Sequence, residues 1–142
     1  MKALWLTAAA LLFAASTNTW AQDTSPQVQV INRTVKGQPD TDIRVGVFVN
    51  VKPDCTSGPL PSIRLAGPPE NGKVTVKQGK VTATNYRQCL ALEVPAFIVF
   101  YRPRADFIGV DVLMLEVKSP GGKTEVQKVS VTVGTGPAGP GI

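Results

Sequence analysis

Apolar and polar residues alternate with a period of two along most of the chain. The clearest run places an apolar residue at every second position from Ile43 to Val51. Because successive side chains of a strand point to opposite faces, this spacing predicts a strand with one buried face. Similar patterns predict seven further strands, at 28–32, 63–65, 73–77, 81–83, 97–101, 110–117 and 125–133. No segment has the 3.6-residue spacing of an amphipathic helix, so we predict an all-β chain.

Turn-forming residues separate these predicted strands. Asn71-Gly72 favours a hairpin or another tight turn, since both residues tolerate positive φ. Pro120-Gly121-Gly122 is expected to join the last two strands as a hairpin, and Pro95 is expected to interrupt the apolar run that begins at Cys89. Short strands with turns about every ten residues are typical of a β-sandwich. We predict a sandwich of about seven to eight antiparallel strands, with a closed barrel as the structural alternative.

The N-terminal segment has the organisation of a secretory signal peptide. Lys2 supplies the positive start, residues 3–15 are almost entirely apolar, and a polar stretch ends at Ala21. Such an apolar run is too short for a membrane span, which needs roughly 20 residues. The predicted organisation is a signal peptide at 1–21, one domain at 22–133 and a flexible Gly- and Pro-rich tail at 134–142.

Composition narrows the function classes. The chain has no His, which excludes Ser-His-Asp and Cys-His catalysis, imidazole-bound zinc and a histidine pH switch. Residues 22–142 contain 19 Val and 6 Ile against 6 Leu and one Met, and β-branched side chains favour strands. Without Lys2, 14 basic and 10 acidic residues leave a net charge of +4. These charges are dispersed, which indicates a solvated surface and no nucleic-acid partner.

Cys55 and Cys89 are the two cysteines of the chain. In a protein exported to an oxidising compartment, a disulfide between them is the default expectation. A redox-active pair would need a thiol of low pKa, generally in a Cys-x-x-Cys motif or beside a helix N-terminus, and neither feature is visible. We therefore predict a structural disulfide.

An ordered set of motifs covers about half of the chain after the signal peptide. It consists of Pro-Glu-Asn-Gly-Lys-Val from residue 69, Tyr-Arg-Pro from 101, Phe-Ile-Gly-Val-Asp from 107 and Val-Ser-Val-Thr-Val from 129. In order and spacing these motifs resemble the bacterial cadherin-like and immunoglobulin-like repeats. The resemblance implies an immunoglobulin-like β-sandwich, present here in a single copy and with a disulfide. The residues that match the family motif are Asn71, Gly72, Tyr101, Pro103, Phe107, Gly109 and Asp111.

The motif residues also have expected physical roles. The Tyr101 ring should be buried at the end of a strand with its hydroxyl on a partner, and Phe107 should close the end of the sandwich. Pro103 should stop the strand ladder, and Gly109 should permit the turn into the next strand. Asp111 is expected to accept hydrogen bonds from turn amides; in calcium-binding members of such families it would lie near the metal.

Two sets of charged residues are candidate binding groups: Asp40, Asp42, Asp106 and Asp111, and the pair Arg102 and Arg104. The carboxylates would suit an oxygen-rich calcium site, but no Asp-x-Asp-x-Asp-Gly loop is present, so we predict no metal. The arginines flank a proline on a predicted loop and are candidates for contact with an anionic group. The simpler interpretation of them is a solvated pair.

These observations together predict a monomeric, non-catalytic module of the bacterial cell envelope that binds or supports another component. The export signal and the family resemblance place it in the periplasm or outside a Gram-negative cell. We expect no cofactor, no membrane span after signal cleavage, and an envelope protein or glycan of unknown identity as the partner. Two alternatives stay open, a calcium-dependent adhesion module and a hydrolase that works through carboxylates alone.

Overall fold

The computed structural model describes residues 15–22 and 28–135. Most of the predicted signal peptide and tail therefore lies outside the described residues. The described part contains seven strands: β1 (Gln29–Gly37), β2 (Ile43–Phe48), β3 (Ser62–Gly67), β4 (Gly72–Tyr86), β5 (Cys89–Pro103), β6 (Gly109–Lys118) and β7 (Thr124–Val133). No helix able to cross a membrane is found in this part of the chain.

The strands form two sheets that enclose one core. The four-stranded sheet has the order β1-β7-β6-β3, and the three-stranded sheet has the order β2-β5-β4. Both sheets contribute to a single buried cluster, made of Ile43, Val45, Phe48, Val99, Tyr101, Leu113, Leu115, Val117, Val129, Val131 and Val133. The all-β prediction and the sandwich prediction are thus confirmed, and the two separate sheets exclude the closed barrel.

The expectation that all strands run antiparallel is wrong for one pair. β1 runs parallel to β7, with Gln29 opposite Glu125 and Gly37 opposite Val133. The other paired strands are antiparallel. Alternation has a period of two in either direction, so the hydrophobic pattern of β1 carries no information about its orientation.

The predicted strands 73–77 and 81–83 are a single strand. β4 pairs with β5 in unbroken register up to a two-residue loop, Arg87 and Gln88. The apolar positions change phase within β4, from even numbers at Val74 to odd numbers at Val81. In the sequence, this change of the apolar face resembles the end of one strand and the start of another. In the structure, the pairing of β4 with β5 continues through it.

Pro95 lies inside β5 rather than interrupting it. It faces Lys80 of β4, and the strand continues to Pro103. On the other side of β5, the pairing with β2 ends at Phe48 opposite Phe97. Pro95 therefore lies beyond the last residue of β2, where β5 has a free edge and a missing N–H is tolerated.

β2 is shorter than the predicted strand because its alternation changes face. The register with β5 shifts between Arg44 and Gly46, so that Val45, Gly46 and Phe48 are buried while Val47 is 39% exposed. A Cβ on Gly46 would lie 2.7 Å from the Phe48 ring. Glycine at this position thus leaves room for the Phe48 ring.

The two predicted turns have different outcomes. The Pro120-Gly121-Gly122 hairpin between β6 and β7 is confirmed; Gly122 has a φ of +92° and its N–H donates to the Ser119 carbonyl at 2.8 Å. Asn71-Gly72 is not a hairpin. It connects β3 of one sheet to β4 of the other, and it therefore forms a corner between the sheets.

Candidate functional site

Several motif residues meet around the carboxylate of Asp111, which is 4% exposed. Its Oδ2 accepts hydrogen bonds from the Tyr101 hydroxyl at 2.7 Å and from the Asn71 N–H at 2.8 Å. Its Oδ1 accepts from the N–H groups of Glu70 at 3.1 Å and Val112 at 3.0 Å. We call this set of five residues the Asp111 latch. It joins the corner between the sheets to β5 and β6.

The environment of the latch shifts the pKa values of the Asp111 carboxyl and the Tyr101 hydroxyl. Burial opposes ionisation of Asp111, but hydrogen bonds from the Tyr101 hydroxyl and from three backbone amides outweigh it and hold the pKa of Asp111 below its ordinary value. Burial, together with the hydrogen bond to the Asp111 carboxylate, raises the pKa of Tyr101. Asp111 therefore stays ionised and Tyr101 protonated at neutral pH, as a structural role requires.

The other motif residues shape the backbone around the latch. Pro103 is fully buried at the end of β5, and its carbonyl accepts a hydrogen bond from the Asp40 N–H at 3.2 Å. Phe107 is partly buried and packs against the core cluster. Gly109 has a φ of +142°, a conformation that favours glycine, and begins β6.

Gly72→Ala is expected to lower the free energy of unfolding by about 1–3 kcal/mol. The added Cβ would clash with the Arg102 carbonyl oxygen and would lie 2.6 Å from the Tyr101 ring. Gly79→Ala in the same strand is the matched control, because its Cβ would meet only Ile98, at 3.6 Å. Urea denaturation followed by circular dichroism measures both. Equal losses for the two variants would contradict the close packing of the corner.

Arg102 and Arg104 are paired with carboxylates of the same chain. Arg102 donates to Asp40 at 3.1 Å and to Asp42 at 3.3 Å, and these hydrogen bonds raise its pKa. Arg104 donates to Asp106 at 3.3 Å. Arg102 also lies within β5 rather than on a loop. Each arginine thus has an acidic partner in the same chain, in ion pairs that are exposed to solvent.

The carboxylates considered for calcium are separated by these same contacts. Asp40 and Asp42 face Arg102, Asp106 faces Arg104, and Asp111 belongs to the latch. Within the described residues, no three His, Cys, Asp or Glu side chains form a group that could hold a metal.

The predicted disulfide between Cys55 and Cys89 is present, with a Cα–Cα distance of 5.7 Å. Cys55 lies in the loop between β2 and β3, and Cys89 begins β5. Beside it, the Gln88 side-chain amide donates to the Pro53 carbonyl at 2.8 Å. These two contacts tie the β2–β3 loop to the tip of the long β4–β5 ribbon.

A cleft that the sequence analysis missed lies between the free edges of β1 and β2. It has a volume of about 530 Å³ and is lined by Arg33, Val35, Arg44, Gly46, Val47 and Gln127. Its two arginines are far apart from the motif residues in the sequence. Arg33 lies on β1 and Arg44 lies on β2, and these are edge strands of opposite sheets. No local sequence pattern predicts that two such edges line one cleft.

The site residues thus divide into an internal framework and an open cleft. The latch and the disulfide use the motif residues and the cysteines within the fold, whereas the cleft faces outward. Comparison with protein-family models, with curated proteins and with solved structures finds no match for the chain.

Proposed function

We propose that the chain is an exported, non-catalytic β-sandwich that binds another component of the bacterial cell envelope. We further propose that it is related to the cadherin-like and immunoglobulin-like repeats. Export is supported by the signal-peptide pattern of residues 1–21 and by the disulfide, since disulfides persist in oxidising compartments.

The strand arrangement supports the proposed relationship. In immunoglobulin-like sandwiches the third, sixth and seventh strands share one sheet, and the second, fourth and fifth share the other. Both groupings occur here, with the first strand beside the seventh. The motif residues add to this support, because Tyr101 and Asp111 contact each other across the two sheets.

The observation that carries the non-catalytic proposal is that the Asp111 carboxylate is bound by other groups of the same chain in the Asp111 latch. Groups with strongly perturbed pKa in a cleft are the usual candidates for catalysis. In this chain the buried carboxylate and the buried phenol bind each other, and backbone amides occupy the remaining acceptor positions of the carboxylate. Their perturbed pKa values are therefore explained by a role in the scaffold.

Export and binding are tested in the producing cells. We expect the full chain to appear in the envelope fraction with residues 1–21 removed and with both cysteines oxidised, as measured by intact mass. Crosslinking of that material in intact cells, followed by mass spectrometry, should identify a specific envelope component. A cytoplasmic protein with free thiols would contradict the proposal.

The two alternatives make different predictions in the same material. Crosslinking that disappears on chelation with EDTA would support a calcium-dependent adhesion module, because a metal-dependent partner needs the metal to stay bound. Turnover of an envelope glycan that is lost on replacement of one carboxylate would support a hydrolase. Under our proposal, crosslinking is unaffected by EDTA and no glycan is turned over.

A further inference from the structure

The arginines of the described residues differ in their partners. Arg64, Arg102 and Arg104 each donate to a carboxylate of the chain, and Arg87 lies over the ring of Tyr86. The chain has two further arginines, Arg33 and Arg44. Neither forms an ion pair with a carboxylate of the described residues, and both line the cleft between β1 and β2.

Arg33 lies on the core-facing side of an edge strand. It is opposite Val129 in the register with β7, and Val129 is fully buried, so the pleat directs Arg33 towards the space between the sheets. Its NH1 group donates to Gln127 Oε1 at 3.1 Å. Among residues 15–22 and 28–135, no second acceptor for this guanidinium is found. The fork of N–H groups is therefore available at the cleft.

Gln127 is the fixed element of the cleft. The residue is 8% exposed, and its side chain lies between Arg33 and Glu125. Its amide donates to Glu125 Oε1 at 2.8 Å. Glu125 thus ends this chain of hydrogen bonds, and its carboxylate contacts Gln127 rather than an arginine. Arg33 and Arg44 carry two positive charges and Glu125 carries one negative charge, so these three groups give the cleft a net positive charge.

We propose that this cleft, hereafter the Arg33–Arg44 cleft, binds an acidic side chain of an extended peptide. The inference rests on the proposed binding function and names the chemistry of the partner. Guanidinium groups bind carboxylates through paired, charge-assisted hydrogen bonds, and Arg33 and Arg44 line the cleft without an ion pair to any described carboxylate.

The cleft walls favour a peptide over a free anion. β2 pairs with β5 on one side only within the described residues, so its other edge offers backbone N–H and C=O groups to an added strand. Val47 is 39% exposed beside that edge, and Val35 is packed against the core, so alternate side chains of a strand would meet apolar surface.

Calorimetric titration with a capped peptide tests the inference. The probe is acetyl-Val-Glu-Val-Glu-Val-amide, and its Gln counterpart is the uncharged control. We expect the Glu peptide to bind the native protein and to bind the Arg33→Gln, Arg44→Gln double variant at least about tenfold more weakly. The Arg64→Gln, Arg87→Gln double variant removes the same charge elsewhere and should bind as the native protein does.

Each outcome decides the site separately from the proposed function. Absence of binding to the native protein, or equal loss in the two double variants, overturns the cleft as a carboxylate site. Binding of inorganic phosphate or galacturonate as tight as that of the peptide overturns the peptide as its ligand. Either result leaves crosslinking to an envelope component as an independent measure of the proposed function.

Discussion

Asp111→Asn is expected to lower the free energy of unfolding by about 3 kcal/mol. The amide keeps one acceptor oxygen but places an NH₂ group where the carboxylate receives the Tyr101 hydroxyl and the Asn71 N–H. At least one buried donor then loses its acceptor, and the other hydrogen bonds lose their charge assistance. Since domains are stabilised by roughly 5–15 kcal/mol, urea denaturation followed by circular dichroism should show a large shift.

Tyr101→Phe is the matched control for the latch. It removes one donor and keeps the buried ring and the carboxylate, so we expect a loss of about 1–1.5 kcal/mol. A smaller loss for Asp111→Asn than for Tyr101→Phe would contradict the central place of the carboxylate in the latch.

The same carboxylate should make stability depend on pH. The pKa of Asp111 is lowered in the fold, so its contribution is complete above the unfolded value of about 3.9 and is lost as the pH falls through the folded pKa. Denaturation of the native protein should become easier below about pH 4. Asp111→Asn should show a shallower dependence, and the slope that remains includes Glu116, whose pKa the hydrogen bond from Arg64 lowers.

Removal of the disulfide is expected to have an effect of similar size. A bridge between residues 34 positions apart should stabilise the fold by about 3–4 kcal/mol in the loop-closure description. Replacement of both Cys55 and Cys89 by Ser should therefore lower the melting temperature, as measured by calorimetry. Reduction of the native protein should lower it by a similar amount.

The loss of the disulfide should also be local in its effect on dynamics. The tether joins the β2–β3 loop to the tip of the β4–β5 ribbon, so hydrogen exchange should accelerate there and remain slow in β6 and β7. Gln88→Ala, which removes only the hydrogen bond to Pro53, should cost less than about 1 kcal/mol. Uniform acceleration across both sheets would contradict a local tether.

The motif residues show which structural roles a local sequence pattern can predict and which it cannot. The buried ring and bonded hydroxyl of Tyr101 and the positive φ of Gly109 agree with expectation, because each follows from the chemistry of one residue type. The turn signal at Asn71-Gly72 predicts a tight turn, but it does not predict that this turn is a corner between the two sheets. A turn signal states that the chain reverses or bends, but it does not state whether the next strand joins the same sheet.

The division of β4 was wrong for a related reason. Its apolar positions change phase between Val76 and Val81, and a phase change in a sequence cannot be distinguished from a strand end. The structure continues the strand because β5 supplies a register partner for every residue from Val76 to Val81. Pairing with a distant segment thus overrides the local pattern.

The amino-acid sequence was sufficient for the all-β class and for the pairing of the two cysteines, because period-two alternation and the count of two cysteines establish them. For Asp111 it left two roles open, hydrogen bonds with turn amides or a position near a metal. The parallel direction of β1 and the presence of Arg33 and Arg44 in one cleft follow from the tertiary structure alone. Both depend on which strand edges lie side by side, and edge contacts are set by the packing of the two sheets rather than by any neighbouring residues in the chain.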